Sequence, residues 1–203
     1  MGTDADRIAW RAARSFDDLL GLTADFLEGR RGFFPGWGGA TTDEESDSLL
    51  PALRGAIGAG LMPVASQPGK PFGPGHDGLT WGGRAFVGGL ALTDAGARRL
   101  TDAALEAGLL VLVEEAASDA DWAPLVAGLR DGTPYLVLGS GARSQELEIF
   151  AEHVAPSLQG ALAERPFLWI VDPAWGRRDR LSDLLAGPGR VSFQDANGRP
   201  PAP

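Results

Sequence analysis

The sequence predicts an α/β fold: a single layered domain with a mostly parallel or mixed central sheet flanked by helices. From Leu61 onward, short apolar segments alternate with amphipathic helical segments, which is the pattern of layered α/β domains. Most of these apolar segments are continuous, as expected of strands that are buried on both faces of a sheet. With 203 residues, the chain is long enough for one domain with its own core. We expect residues 1–203 to form that domain, with 1–9 and 195–203 flexible.

The first predicted helix covers residues 15–28. Ser15 and Asp18 have the spacing of a capping box, and Gly29 stands where a glycine commonly ends a helix. The aromatic, glycine-rich segment 33–39 follows. This segment either walls a pocket or is a loop that its rings hold against the core. The candidate pocket residues in it are Phe34 and Trp37.

A second helix is predicted to begin at Thr42, because Thr42 and Glu45 also have capping-box spacing. Its buried face is marked by apolar residues at helical spacing, namely Leu49, Leu50, Leu53 and Ile57. The acids in its first turn, Asp43, Glu44 and Glu45, are candidate acid/base groups or magnesium ligands if this helix end faces a cleft. The same carboxylates would also complement the helix dipole, so a purely structural interpretation remains open.

The segment Ser66–Gly83 is predicted to be a long loop, because it follows the strand Leu61–Ala65 and shows no apolar period. Long irregular loops in compact domains are often functional, and α/β sites lie beyond the carboxyl ends of strands. Its candidate site residues are Ser66 and Gln67 for polar contacts, His76 for proton transfer and Trp81 for stacking. Arg84, just beyond it, could grip a carboxylate or phosphate. The alternative is an exposed glycine- and proline-rich surface loop.

Three further features are weaker candidates. A nucleophilic set of Ser66, His76 and Asp77 is disfavoured, because adjacent His and Asp side chains cannot easily form the orienting bond of a triad. The segment 139–141 matches neither a phosphate loop nor a nucleophile elbow, and a plain strand-to-helix turn is the better interpretation. His153, within a helix, is expected at the surface or the edge of the core.

The remaining elements continue the alternation. Strands are predicted at 84–90, 109–113, 135–138, 167–171 and 191–193, and helices at 93–107, 122–129, from 145 with a division at Pro156, and 181–185.

Composition excludes several classes of function. Without cysteine there is no disulfide, thiolate nucleophile or cysteine-held metal centre, and two histidines leave little for a transition metal. We expect no metal and no cofactor. A formal charge of −9 argues against nucleic acid and anionic membrane surfaces as partners. No apolar run approaches the roughly 20 residues that span a bilayer, and the polar N-terminus lacks signal-peptide features, so we expect a cytoplasmic protein.

The first half of the chain resembles an uncharacterised actinobacterial, mainly streptomycete, family known as a domain of unknown function. The residues that carry the resemblance are Phe26-Leu27-Glu28-Gly29, Thr42-Asp43-Glu44-Glu45 with Leu49, Gly60-Leu61, Ser66-Gln67-Pro68-Gly69, Trp81 and Arg84-Ala85. Ser-Gln-Pro-Gly is the most specific of these. The resemblance implies Gln at the position of Gly83 and Glu at that of Gly88. If the family's activity depends on those groups, this chain has lost or changed it.

We therefore expect a cofactor-independent enzyme of actinobacterial specialised metabolism that applies acid/base catalysis to a small aromatic or carbonyl substrate. Glu44 or Glu45 and His76 would transfer protons, while the aromatic and polar candidates hold the substrate. Condensation of an amine with a carbonyl, or a cyclisation, is one version. The alternative is a non-catalytic small-molecule-binding, regulatory or immunity-type interaction protein, and a homodimer is compatible with either. The sequence leaves open whether the protein is an enzyme.

Overall fold

The computed structural model of the protein describes residues 4–39, 41–42, 44–114, 124–139 and 142–187. Within these ranges seven α-helices lie around a sheet of seven strands, which confirms the α/β class. The helices are α1 (Asp4–Ala12), α2 (Phe16–Leu27), α3 (Leu50–Gly58), α4 (Asp94–Glu106), α5 (Ala142–Ala151), α6 (Pro156–Ala163) and α7 (Asp179–Ala186), and a 3₁₀ helix, Glu44–Leu49, precedes α3. The strands are β1 (Leu61–Gln67), β2 (Lys70–Pro74), β3 (Thr80–Ala91), β4 (Leu110–Glu114), β5 (Leu125–Arg130), β6 (Thr133–Leu138) and β7 (Phe167–Trp175).

The strand pairs in the described part of the chain are all antiparallel, so the prediction of a mostly parallel or mixed sheet is wrong. β3 is the shared strand. Its amino-terminal half pairs with β2 and β5, and its carboxyl-terminal half pairs with β1 and β7. Parallel neighbours need a long crossover, whereas β2–β3 and β5–β6 are joined by short turns. The apolar pattern predicted burial on two faces, which does not by itself determine strand direction.

The predicted loop Ser66–Gly83 is instead most of a long β-hairpin. Only Pro68 and Gly69 separate β1 from β2, and both strands run along β3. The turn of this hairpin spans residues 75–79. The loop prediction was wrong because glycines and prolines mask the strand period. These glycines make room for rings: a Cβ at Gly82 would lie 2.4 Å from the ring of Phe72.

The helix predicted at 122–129 is wrong where the structure describes it, because residues 125–129 belong to β5. β5 and β6 form a second hairpin through Asp131 and Gly132. Both turn residues have positive φ, 49° and 76°, as a two-residue type I′ turn requires. Other predictions lie outside the described residues: Asp43, residues 122–123, Ser140 and Gly141, the strand 191–193 and the tail 195–203.

The sequence predicts flexibility over residues 1–9, whereas residues 4–12 form α1. Trp10 anchors this helix. Its indole is buried, donates a hydrogen bond to the Phe33 carbonyl at 3.3 Å, and packs edge-on against Phe34 and Phe150 with ring centroids 5.5 and 5.9 Å away. These contacts connect the N-terminal segment to the aromatic segment 33–39 and to α5.

The two helices before the first strand follow the sequence to different degrees. Ser15 and Asp18 form the predicted capping box at the start of α2, and Gly29 follows the helix with a φ of 72°. The helix predicted from Thr42 is divided into the 3₁₀ helix and α3. Pro51 explains the division, because it lacks the N–H that would continue a helix and is favoured in a first turn.

The carboxyl-terminal half of β3 lies in the core beside β7. Residues 167–172 of β7 are buried throughout. The Trp169 indole lies over Gly88, where a Cβ would be 2.4 Å from the ring, and donates a 2.6 Å hydrogen bond to the buried carboxylate of Glu114. The core positions of β3 and β7 are therefore fitted closely to each other.

Candidate functional site

An open cavity of about 900 Å³ lies beside the hairpin, lined by α2, the aromatic segment 33–39, the 3₁₀ helix and the β1–β2 junction. Its apolar walls include Phe26, Leu27, Phe34, Pro35, Trp37, Pro63, Val64 and Phe86. Its polar and charged groups include Thr23, Thr42, Glu45, Ser46, Ser66, Gln67, Lys70, His76 and Arg178. A volume of this size is within the usual range of small-molecule sites.

Most of the site residues predicted from the sequence line this one cavity. The structure brings together Phe34, Trp37, Glu45, Ser66, Gln67, His76 and Trp81. They come from the aromatic segment, the 3₁₀ helix, the end of β1, the hairpin turn and the start of β3. Their convergence depends on the hairpin, because it carries the Ser-Gln-Pro-Gly segment and the turn to the same side of the molecule.

Glu44 and Arg84 are not among the cavity-lining residues. Glu44 is exposed on the 3₁₀ helix, and neighbouring Glu45 supplies the carboxylate at the cavity. The guanidinium carbon of Arg84 lies 4.7 Å from the centre of the Trp175 ring. Its Nε is buried without a hydrogen-bond partner among the described residues. Arg84 pairs opposite Trp175 on β7, and this pairing directs it away from the predicted substrate contact.

Trp81 is held in place by a hydrogen bond, an aromatic contact and two nearby cations. Its indole donates a 2.9 Å hydrogen bond to Asp77, and Tyr135 packs edge-on with ring centroids 4.8 Å apart. Arg130 lies over the same ring at 5.0 Å and Lys70 at 5.9 Å. These contacts fix one wall of the cavity.

Asp77 is a structural carboxylate. The hydrogen bond from Trp81 lowers its pKa to about 2, with help from the Leu79 backbone N–H and from Arg130, which donates at 2.8 Å. Both carboxylate oxygens are thus used by residues other than His76. This arrangement gives no support to a nucleophilic set of Ser66, His76 and Asp77.

The aromatic segment 33–39 serves both of the roles considered for it. Phe34 packs against Trp10, Phe26 and Phe150 in the core and also lines the cavity. Gly36 allows the segment to approach α5, because a Cβ there would lie 2.8 Å from Ile149. The core contacts therefore position the part of the segment that faces the cavity.

Two glycines, Gly83 and Gly88, stand where the family resemblance implies polar side chains. A Cβ at Gly83 would lie 2.5 Å from the amide nitrogen of Gln67, so this amide occupies the space next to β3. At Gly88 the ring of Trp169 occupies the corresponding space. The Gln and Glu that the resemblance implies at these positions would displace Gln67 and Trp169 respectively.

Sequence reasoning missed Lys70, Tyr135 and Arg178 as cavity residues. Lys70 carried a signal, because it is the only lysine in the chain. Arg178 belongs to a basic patch after β7, formed by Arg177, Arg178 and Arg180. The sequence around this patch does not predict that it lies beside β2. Tyr135 reaches the cavity only through the β5–β6 hairpin, which the predicted helix at 122–129 obscured.

His153 lies at the edge of the core, away from the cavity-lining set. It packs edge-on against Phe33 at 5.2 Å, and burial lowers its pKa, with further lowering from Arg7 and Arg11. The expectation of a surface or core-edge histidine agrees with this placement.

Across the described ranges, no group of three or more His, Asp or Glu side chains is arranged to hold a metal ion. None of the described helices combines the length and apolarity needed to cross a membrane.

Comparison with known proteins places the chain in a family. No curated protein matches the sequence. A family model described as a domain of unknown function, DUF6919, matches residues 5–187 and so extends well beyond the first half that carries the resemblance. Because this match covers the α/β structure from α1 to α7, the chain belongs to the DUF6919 family.

Proposed function

We propose that the cavity binds a small aromatic, carbonyl-bearing substrate and that Glu45 and His76 transfer protons to and from it. One observation supports this most directly. The 3₁₀ helix and the hairpin turn, which are far apart in sequence, each contribute one proton-transfer group to the same aromatic-walled space. Both residues are exposed to solvent, so a substrate can reach them.

Gln67 and Ser66 are the groups that would orient the substrate. The Gln67 amide lies over Gly83 and offers both a donor and an acceptor, as a carbonyl or hydroxyl ligand requires. Phe34, Trp37 and Trp81 would pack against an aromatic ring. Glu44 and Arg84 have no part in the proposal.

Condensation of an amine with a carbonyl is a reaction that such groups can serve. The amine nitrogen attacks the carbonyl carbon, and both nitrogen protons pass in turn to the carbonyl oxygen. The oxygen leaves as water, and the C=N bond forms. The step needs groups that accept and return protons, and it needs no oxidant or reductant. The proposal includes an actinobacterial origin, supported by the family resemblance and by the excess of arginine over lysine, and a place in specialised metabolism.

The decisive experiment combines binding with turnover. Aromatic aldehydes and ketones, each with and without a primary amine, are screened by thermal shift and by mass spectrometry of products. Glu45→Gln and His76→Gln are each expected to lower turnover by about 100-fold with binding within about threefold. Glu44→Gln is the matched control and should retain turnover, because its side chain does not line the cavity.

Two results would decide against this assignment. Ligand binding without turnover would favour the non-catalytic binding alternative. One observation favours that alternative: Asp77 accepts hydrogen bonds from Trp81 and Arg130, so it does not orient His76. Equal losses in Glu44→Gln and Glu45→Gln would remove Glu45 from the catalytic role.

A further inference from the structure

We infer that the cavity recognises an anionic group on its ligand, a carboxylate or a phosphate, through Lys70 and Arg178. The inference rests on the proposed function and narrows the substrate to an aromatic acid or an aromatic phosphate. Both cations line the cavity, and Gln67 lies on the same β1–β2 segment as Lys70.

Two backbone segments meet at this end of the cavity. A Cβ at Gly69 would lie 2.7 Å from the Arg177 carbonyl oxygen, and one at Gly176 would lie 2.7 Å from the Cα of Pro71. Gly176 also has a φ of 74°, which favours glycine. The residues that flank Lys70 therefore touch the turn that carries Arg178, so the two cations belong to segments in direct contact.

Arg178 differs from its neighbours in the basic patch. Arg177 pairs with Asp179 at 3.4 Å, and Arg180 donates a 3.1 Å hydrogen bond to the Gly108 carbonyl. Arg178 has no ion-pair partner within the described residues, and it is the arginine of the three that lines the cavity. Its charge is thus available to a ligand.

Lys70 likewise forms no ion pair with a described carboxylate. Its ammonium nitrogen lies 5.9 Å from the centre of the Trp81 ring. Glu45, the acid that lines the cavity, forms no ion pair with either cation in the described part of the chain.

The local charge at this end of the cavity is positive, whereas the chain as a whole is acidic. The protein carries a formal charge of −9, yet two cations from adjoining segments line one cavity without a paired carboxylate. Arginine can hold a carboxylate or phosphate with two parallel hydrogen bonds, and lysine adds a point charge. The apolar walls would take the aromatic part of the same ligand.

The test is calorimetric titration of the full chain with four probes: phenylacetate, its neutral counterpart phenylacetamide, phenyl phosphate and inorganic phosphate. At low salt, phenylacetate or phenyl phosphate should bind at least about tenfold more tightly than phenylacetamide. Lys70→Gln and Arg178→Gln should each reduce this preference about threefold or more. Arg177→Gln is the matched control, and it removes an adjacent charge that is paired with Asp179. Raising the ionic strength from about 0.05 to about 0.5 M should weaken the preference.

The outcomes separate this inference from the proposed function. Equal affinities for phenylacetate and phenylacetamide would overturn the anion site and leave an aromatic site intact. Binding of inorganic phosphate that depends on Arg178, without binding of any aromatic probe, would support the anion site and overturn the aromatic substrate. Binding of none of the four would overturn both. The ratio of phenylacetate to phenyl phosphate affinity identifies which anion the site prefers.

Discussion

Each half of β3 contains a glycine covered by a neighbouring side chain, but one glycine lies in the core and the other at the cavity. The carboxyl-terminal half is buried between β1 and β7, and Gly88 there lies under the buried ring of Trp169. The amino-terminal half pairs with β2 and β5, and Gly83 there lies under the flexible end of Gln67 at the cavity. One continuous strand thus contributes to the core at one end and to the site at the other. Stability and ligand binding should therefore be separable along β3.

The largest expected effect comes from two tryptophans: Trp169 of β7, which packs on the carboxyl-terminal half of β3, and Trp81, which lies in the amino-terminal half. Trp169→Ala should lower the free energy of unfolding by about 3–5 kcal/mol, because it empties a core position and leaves the buried Glu114 carboxylate without its donor. Trp81→Ala should lower it by about 1–2 kcal/mol, since that ring is only partly buried and loses one hydrogen bond. Urea unfolding followed by circular dichroism measures both. Equal losses would contradict the division of β3 into a core half and a site half.

The next comparison uses the two glycines. Gly88→Ala should destabilise the protein by about 1–3 kcal/mol, because the new Cβ would collide with the Trp169 ring in a packed core. Gly83→Ala should change stability by less than about 1 kcal/mol, since the end of a flexible side chain can move aside. It should instead weaken binding of the aromatic probes by displacing the Gln67 amide. Thermal unfolding and calorimetric titration of the two variants distinguish the effects, and a reversed order would refute the comparison.

The site half should show a specific acid dependence through Asp77. Its pKa is about 2 in the folded protein and 3.8 in the reference state, so the unfolded chain takes up a proton first as the pH falls. The stabilisation is complete above the reference value and is lost as the pH falls toward about 2. The stability difference between the wild type and Asp77→Asn should therefore shrink from about pH 5 to about pH 2. A constant difference would show that the Asp77 carboxylate is not held by Trp81 and Arg130.

The smallest expected effect lies outside both halves, at His153. Burial against Phe33, with Arg7 and Arg11 nearby, lowers its pKa from 6.5. As the pH falls below 6.5, the unfolded chain binds this proton first, so the folded protein loses a little stability there. An NMR titration should place the imidazole pKa below 6.5, and a value at or above it would be inconsistent with the packing on Phe33.

Local signals in the sequence predicted the helices better than the sheet. The Ser15–Asp18 capping box, the helix predicted at 93–107 and the division at Pro156 are all present, because each depends on neighbours within one turn. Strand direction and the β5–β6 hairpin were mispredicted, since they depend on pairings with distant segments that glycine and proline conceal. The cavity lining follows the same rule: the lining residues of the predicted loop were proposed from local chemistry, whereas Arg178 and Tyr135 reach the cavity through tertiary pairing alone.

The contact between Gly69 and the Gly176–Arg177 turn has a consequence for folding kinetics. These residues are separated by about half of the chain, so this is a contact of high sequence separation. Such contacts form slowly because a long loop must close first. The hairpin can pair as soon as β1, β2 and β3 exist, but the end of the cavity that holds Lys70 beside the Arg178 turn is complete only after β7 has docked. A chain that ends before β7 would therefore contain the hairpin without this end of the cavity. In a refolding experiment, recovery of ligand affinity should lag behind recovery of strand signal.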